Sequence, residues 1–299
     1  MPFVKKVIRS DRPIKLFKLL MNEFGISLRE AQKMIDTKKI FQHRRLVTDK
    51  AAVVEGEVEV IRFEPITQGL APLFETRDFA LFDKPSGVMV HPRNRKSAYT
   101  LVDEVRWHFG EKANITHRID KETSGLVLCA KHKEAEKRLK GMFEEKKIQK
   151  SYLALVRGDL KEELFIDEPI ALNRDYSRIK LKVVIDKEGK PAQTLVRPLE
   201  RFGEFTLVEA IPLTGRQHQI RVHLFHVKHP IVGDPIYGVF TQTAIDYLDA
   251  RLSRQERIRL TGAPRLMLHA YSLRFEYGAT RYWIVSKQSF WQECIEIIS

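Results

Sequence analysis

Residues 117–128 read HRIDKETSGLVL and run on into Cys129 and Ala130. The stretch changes character at its middle. Its first half is dense in charge, with His117, Arg118, Asp120, Lys121 and Glu122 close together. Its second half, from Gly125, is an unbroken apolar run entered through a Thr-Ser-Gly turn. Such a run predicts a short strand buried on both faces. Asp120 then stands at the mouth of a core strand, on a rigid platform. Arg118 and Lys121 beside it favour the ionised carboxylate. An ionised carboxylate can act as nucleophile or base. A turn aspartate can equally cap its own loop by accepting backbone N–H groups. These residues alone leave both readings open.

Outward from this stretch, residues 76–299 are rich in short β-branched and aromatic segments. Strands are predicted around 79–82, 125–130, 151–156, 194–198, 206–210 and 282–285. Helical patterns are fewer: 100–109, 134–144, a stretch after Thr214, and a charged run at 241–260. Strands without regular βα alternation predict an α+β domain, a mostly antiparallel mixed sheet with peripheral helices, and not a doubly wound one.

Two further segments carry candidate chemistry. In LTGRQHQIRVH (213–223), Thr214 and Gln217 fit a capping box, and Ile220, Leu224 and Val227 share one helical stripe. Arg216 and Arg221 would project from the first turns of that helix, where either could pair with a carboxylate or a phosphate. In KSYLALVRG (150–158), alternation puts Tyr152, Ala154 and Val156 on one strand face. A tyrosine there is either core or a platform on which a base can stack. His218, His223, His226 and His229 are poorly spaced for a metal, and no HExxH or cysteine partner accompanies them. Neither a metal nor a cofactor is expected, since no P-loop or GxGxxG occurs either.

The 299 residues carry 52 Lys and Arg against 39 Asp and Glu, a formal charge of +13. That balance implies a polyanionic partner, nucleic acid first. More than half of the excess lies in residues 1–54, which hold 13 basic and 5 acidic side chains. A small basic module therefore precedes a nearly balanced body. In it, Ile14, Phe17, Leu20 and Met21 mark an amphipathic helix. Ser27 and Glu30 form the capping box of a second helix, with Ala31, Met34 and Ile35 as its apolar stripe. Arg29, Lys33, Lys38 and Lys39 form a cationic face over that helix and the turn after it, suited to tracking phosphates. Short strands follow around 40–42, 46–47 and 58–61. Residues 66–75, with few charges, read as a linker. The two cysteines form no CxxC pair. No secretory h-region and no apolar run long enough to span a bilayer is present, so a cytoplasmic protein without membrane association is expected. A monomer is the default.

Two resemblances join these readings. The pattern from Pro13 to Phe63, with SLREAQKMIDTKKI and the closing VVEGEVEVI, resembles the S4 RNA-binding domain, although Arg44-Arg45 stands where that family usually turns on Asn-Gly. The body resembles the RluA-type RNA pseudouridine synthases through FDKPSGVMVHP (82–92), HRIDKETSGLVL, KSYLALVRG, GKPAQT (189–194), LTGRQHQIRVHL, HPIVGDPIYG (229–238) and LMLHA (266–270), in that order; Ile119 replaces the more usual leucine. The resemblance implies the pseudouridine synthase fold and an isomerisation of uridine in RNA, 23S ribosomal RNA first, that needs no cofactor. It implies Asp120 as the catalytic aspartate, Tyr152 stacked on the target base, Arg221 paired with the aspartate, and Arg118 entering the gap that the base leaves. Arg216 and the module's cations are expected to hold RNA. A transfer-RNA-directed synthase and a non-catalytic RNA-binding or ribosome-assembly factor are the alternatives. A glycosidase is disfavoured, because no second carboxylate is placed as its acid.

Overall fold

A computed structural model describes residues 3–92, 99–173, 179 and 182–299. The basic module is built from β1 (Phe3–Lys15), α1 (Leu16–Phe24), α2 (Leu28–Asp36), β2 (Ile40–Gln42), β3 (Arg45–Leu46) and β4 (Val53–Phe63), with strand order β1-β4-β2-β3. Its second helix begins as the sequence predicts: the Ser27 side chain accepts from the Glu30 N–H, and Glu30 accepts from the Ser27 N–H. The first helix starts later than expected. Ile14 belongs to β1, opposite Val54, and the buried stripe is Leu16, Leu19 and Leu20. Strand β1 was not predicted, because its run of Lys, Arg and Asp blurs the alternation on which strand recognition depends. Between β2 and β3 the chain turns through His43 and Arg44, both with positive φ (49° and 65°). That is the backbone of a two-residue hairpin turn that Asn-Gly would adopt with less strain.

The larger sheet comprises β5 (Phe74–Glu75), β6 (Phe79–Lys84), β7 (Asn114–Ile115), β8 (Ser124–Ala130), β9 (Gln149–Arg157), β10 (Leu164–Asp167), β13 (Gln193–Phe202), β14 (Phe205–Pro212), β15 (Leu268–Tyr277) and β16 (Thr280–Val285). A separate hairpin joins β11 (Ile170–Leu172) to β12 (Val183–Ile185). The helices are α3 (Leu101–Phe109), α4 (Lys133–Glu144), α5 (Gln219–His226), α6 (Thr241–Leu248), α7 (Arg254–Thr261) and α8 (Phe290–Ile298). The main order is β10-β13-β14-β9-β15-β8-β6-β5, with β16 beside β15 and β7 beside β8. This is the expected α+β architecture of a mostly antiparallel sheet with peripheral helices.

Strand β8 is buried along its whole length, as its apolar run requires. Leu126, Leu128 and Ala130 pack with Leu139 and Met142 of α4. Val127 and Cys129 pack with Leu101, Val102 and Val105 of α3. Its pairing with β15 is parallel, unlike the other strand pairs described. At that seam Gly125 (φ 103°) lies so close to Ala270 that a Cβ would stand 2.2 Å from the Ala270 carbonyl oxygen. Only glycine permits this approach. The loop carrying Asp120 therefore enters the sheet where its two antiparallel halves join.

Three local expectations are corrected. Thr214 and Gln217 form no capping box, because α5 begins only at Gln219. Thr214 Oγ1 instead accepts from the Gln193 N–H and donates to Gln219 Oε1. Arg216 consequently precedes the helix, and its Nε donates to the Pro191 carbonyl at 3.1 Å. The run 241–260 is two helices, broken at Ala250 (φ 57°) and restarted by a Ser253–Glu256 capping box. Strand β15 escaped prediction although it is the hub of the sheet. Residues 67–75 are tied to the large body: Thr67 and the Gln68 N–H bond to Glu104, and β5 pairs with β6. No helix among the described residues is long and apolar enough to cross a membrane.

Candidate active site

A cleft of about 1020 Å³ opens between the 117–123 loop, β9 and the 211–221 segment. Arg118, Asp120, Lys150, Tyr152, Arg216 and Arg221 all line it. Five of the residues singled out from sequence thus meet in one place. Arg29, Lys33 and Lys38 stand exposed on the small module instead, and Lys39 there is half-buried and engaged.

The centre is an ion-paired chain of three side chains, Asp120, Arg221 and Asp234. Arg221 Nη1 donates to Asp120 Oδ2 at 3.0 Å. Its Nε and Nη2 donate to the two oxygens of Asp234 at 2.8 and 2.9 Å. Arg221 and Asp234 are both buried, and the bidentate grip fixes the plane of the guanidinium. Asp234 is fixed in turn, since its Oδ1 accepts from the Ile236 and Tyr237 N–H groups. The Tyr237 ring lies 5.1 Å from the guanidinium carbon. Gly233 (φ 77°) makes this turn possible, as a Cβ there would lie 1.8 Å from the Arg265 carbonyl oxygen. Arg221 pairs with Asp120 while its remaining nitrogens are committed elsewhere, so its position is set before any substrate arrives.

Burial alone would raise the Asp120 pKa, but His218, Arg221 and Lys84 more than offset it and hold the carboxyl below its ordinary value. His218 Nε2 lies 3.7 Å from Asp120 Oδ2. Burial and the Arg221 charge push the His218 pKa down to about 4. The ring is therefore neutral at pH 7, and Arg221 carries most of the stabilisation of the anion there. Lys84 is completely buried, and its Nζ donates to the carbonyls of Pro85, Val88 and Lys121 at 3.0, 2.9 and 3.1 Å. It ties the 84–88 turn to the loop of Asp120. Burial lowers its pKa to about 7, with the Glu122 and Asp120 charges opposing. Glu122 is held by Arg257 and Tyr247 from the α6–α7 excursion, which closes the far side of the same loop.

Tyr152 lies on β9 and is 9% exposed. Its partners across β14 and β15 are Ala210 and Ala270, small residues that crowd the ring little. Burial and then the Asp120 charge raise its pKa, so the phenol stays protonated across the physiological range. Asp234, Lys84 and Tyr237 were not singled out from sequence, and His218 was weighed only as a metal ligand. The Gly-Asp-Pro turn at 233–235 is the one local signal that could have drawn attention to Asp234. Among the described residues, no group of three His, Cys, Asp or Glu side chains could hold a metal ion.

An ionised carboxylate, a pre-set arginine and an aromatic ring share one open cleft on a mixed sheet, the equipment of an enzyme active site. Comparison with known proteins makes this specific. The family described as RNA pseudouridylate synthase matches residues 78–226. An RNA pseudouridine synthase of Helicobacter pylori strain J99 is 38% identical over 289 residues, covering 96% of this chain and 96% of its own. Ribosomal large subunit pseudouridine synthase D of Nitrosomonas europaea is 38% identical over 210 residues, 69% of this chain and 57% of its own. The solved structure of human RNA pseudouridylate synthase domain containing 1 superposes with a TM-score of 0.59 at 28% identity, over 76% of this chain and 86% of that one. The chain belongs to the RNA pseudouridine synthase family, and it is an isomerase of RNA uridine.

Proposed function

We propose that the chain converts uridine to pseudouridine in large-subunit ribosomal RNA, with Asp120 as the reacting carboxylate. In that reaction the N1–C1′ bond breaks, the uracil turns, C5 bonds to C1′, and the proton on C5 is lost while N1 regains one. The ionised Asp120 oxygen either attacks C1′ or takes a ribose proton, and both routes use the anion that Arg221 stabilises. The target uridine must leave its stack, at a cost of a few kcal/mol. Arg118, on the same rim as Asp120, fills the vacated space. Tyr152 receives the extruded base, a contact worth ~1–3 kcal/mol. The observation that carries this reading is the Asp120–Arg221 pair lining one open cleft together with Tyr152.

Residues 1–65 are proposed as an S4-like RNA-binding module, 66–75 as a linker and 76–299 as the catalytic domain. The exposed Arg29, Lys33 and Lys38 support phosphate binding by the module, together with Lys39, while Arg216 supports it at the cleft. The names of relatives such as the Nitrosomonas enzyme support ribosomal RNA as the substrate. The enzyme acts as a monomer in the cytoplasm and uses no cofactor in this reading. The test is a map of pseudouridines in ribosomal and transfer RNA from cells with and without the gene. Loss of one or more large-subunit sites is expected. Loss confined to transfer RNA, or no loss at all, would overturn the substrate assignment.

A further inference from the structure

We propose that Lys150 is a phosphate clamp for the extruded nucleotide, gripping the RNA backbone beside the uridine whose base lies on Tyr152. The inference rests on the reading of the cleft as the uridine site. Lys150 and Tyr152 are two residues apart on β9, so their side chains leave the same face, with Cα atoms about 7 Å apart. Both line the cleft. That spacing matches one nucleotide, with its base on the ring and its phosphate reaching toward the ammonium. On the opposite wall Lys150 Nζ meets Gly215, where a Cβ would lie 3.6 Å away. The ammonium therefore stands across the cleft near the 213–216 turn, not folded back into solvent.

The decisive feature is what Lys150 lacks. The other buried cations of this body have fixed partners. Lys84 has three carbonyls, Arg221 two carboxylates, Arg257 the Glu122 carboxylate, and Arg265 Glu293 and the Leu266 carbonyl. Lys150 is half-buried, yet its Nζ has no hydrogen bond or ion pair with any described residue. Burial alone depresses its pKa, with no opposing carboxylate. Its charged neighbourhood offers no substitute. His117 is neutral, its pKa pushed to about 3 by burial, and Asp120 is already held by Arg221. A desolvated cation without a partner is unfavourable for folding. It becomes favourable when an anion enters, and the only anion that RNA brings is its phosphodiester. Arg216 and Arg118 line the same cleft from exposed positions, so Lys150 is the more deeply set of these cations.

The test uses the full chain and transcribed large-subunit ribosomal RNA carrying 5-tritiated uridine. Lys150→Gln should melt no lower than the parent, because a strained charge has been removed. Its KM should rise about ten-fold, the worth of one hydrogen bond to a charged group. The slope of log binding constant against log salt should flatten by about 0.7, one phosphate contact on a single strand. Lys150→Arg should restore most of the KM and the slope. An unchanged KM and slope in Lys150→Gln overturns the proposal. A raised KM with an unchanged salt slope also overturns it, and assigns Lys150 to the uracil edge instead. A lowered melting temperature with a matching loss of kcat overturns it in favour of a packing role. A parent protein that releases no tritium, while Lys150→Gln still flattens the salt slope, refutes the reaction and leaves the contact standing.

Discussion

Replacing Asp234 by asparagine tests whether Arg221 is set in place by the protein or by the substrate. Asp234 Oδ2 accepts from Arg221 Nε, and Oδ1 accepts from Arg221 Nη2 and from two backbone N–H groups. In Asp234→Asn the amide oxygen must keep the two backbone donors to preserve the turn. The new NH₂ then faces Arg221 Nε, donor against donor. The guanidinium loses the Nε half of its bidentate grip and one of its two balancing charges, leaving the Nη2 bond to the amide oxygen and the Asp120 pair. Removing one member of a buried pair costs roughly 3–5 kcal/mol. The near-isosteric change and the surviving Asp120 contact place this variant at the low end. About 3 kcal/mol corresponds to a fall in melting temperature of roughly 6–12 °C for a body of this size. Arg221 is then free to swing with Asp120, and misplacement of the reacting oxygen by about 1 Å lowers kcat by about 10²-fold. Thermal melts followed by circular dichroism, and tritium release under saturating RNA, read the two effects. A variant that melts and turns over like the parent would refute the idea that Asp234 acts through Arg221.

Four shorter predictions follow from the same geometry. The Asp120 carboxyl lies below its ordinary value, so the acid limb of kcat should fall below the usual carboxylate range, with turnover flat through neutral pH; in Arg221→Met, burial is opposed less and that limb should move to higher pH in a pH–rate profile. Gly125→Ala forces a Cβ into the Ala270 carbonyl at a left-handed position, and a loss of stability above about 3 kcal/mol is expected in urea melts. Lys84→Met releases the carbonyls that join the 84–88 turn to the Asp120 loop, and kcat should fall while RNA affinity, read by filter binding, stays near that of the parent. The triple change Arg29→Gln, Lys33→Gln and Lys38→Gln should flatten the salt dependence of RNA binding by about 0.7–0.9 per lost contact without altering kcat; an unchanged slope would remove the small module from RNA anchoring.

The fold was legible where local pattern and tertiary environment agree. Strand β8 announces itself because a strand buried on both faces has nowhere to place a polar residue. Helix α2 announces itself through its capping box. Strand β15 does not, although it joins the two halves of the sheet, because its sequence mixes His269, Arg274 and Glu276 with apolar residues to suit different neighbours along its length. The site was legible in its parts and not in its assembly. Asp120 and Arg221 lie 101 residues apart, and nothing local states that they touch. Their pairing was expected only from the resemblance to a family. Asp234 lies thirteen residues beyond Arg221 and acts through it, a role visible only once α5 and the 233–237 turn are packed together. The expected capping box at Thr214 failed for a related reason. Gln219 draws Thr214, the Arg216 N–H and Thr194 into its own hydrogen-bond network and delays the start of the helix.

The most direct measurement is tritium release from 5-tritiated ribosomal RNA by Asp120→Asn, beside its affinity for the same RNA. The amide keeps the shape of the carboxylate but can neither attack C1′ nor take a proton from the ribose. The account predicts binding within about two-fold of the parent, since phosphate contacts dominate affinity, and no detectable turnover. Sustained tritium release by Asp120→Asn would contradict it.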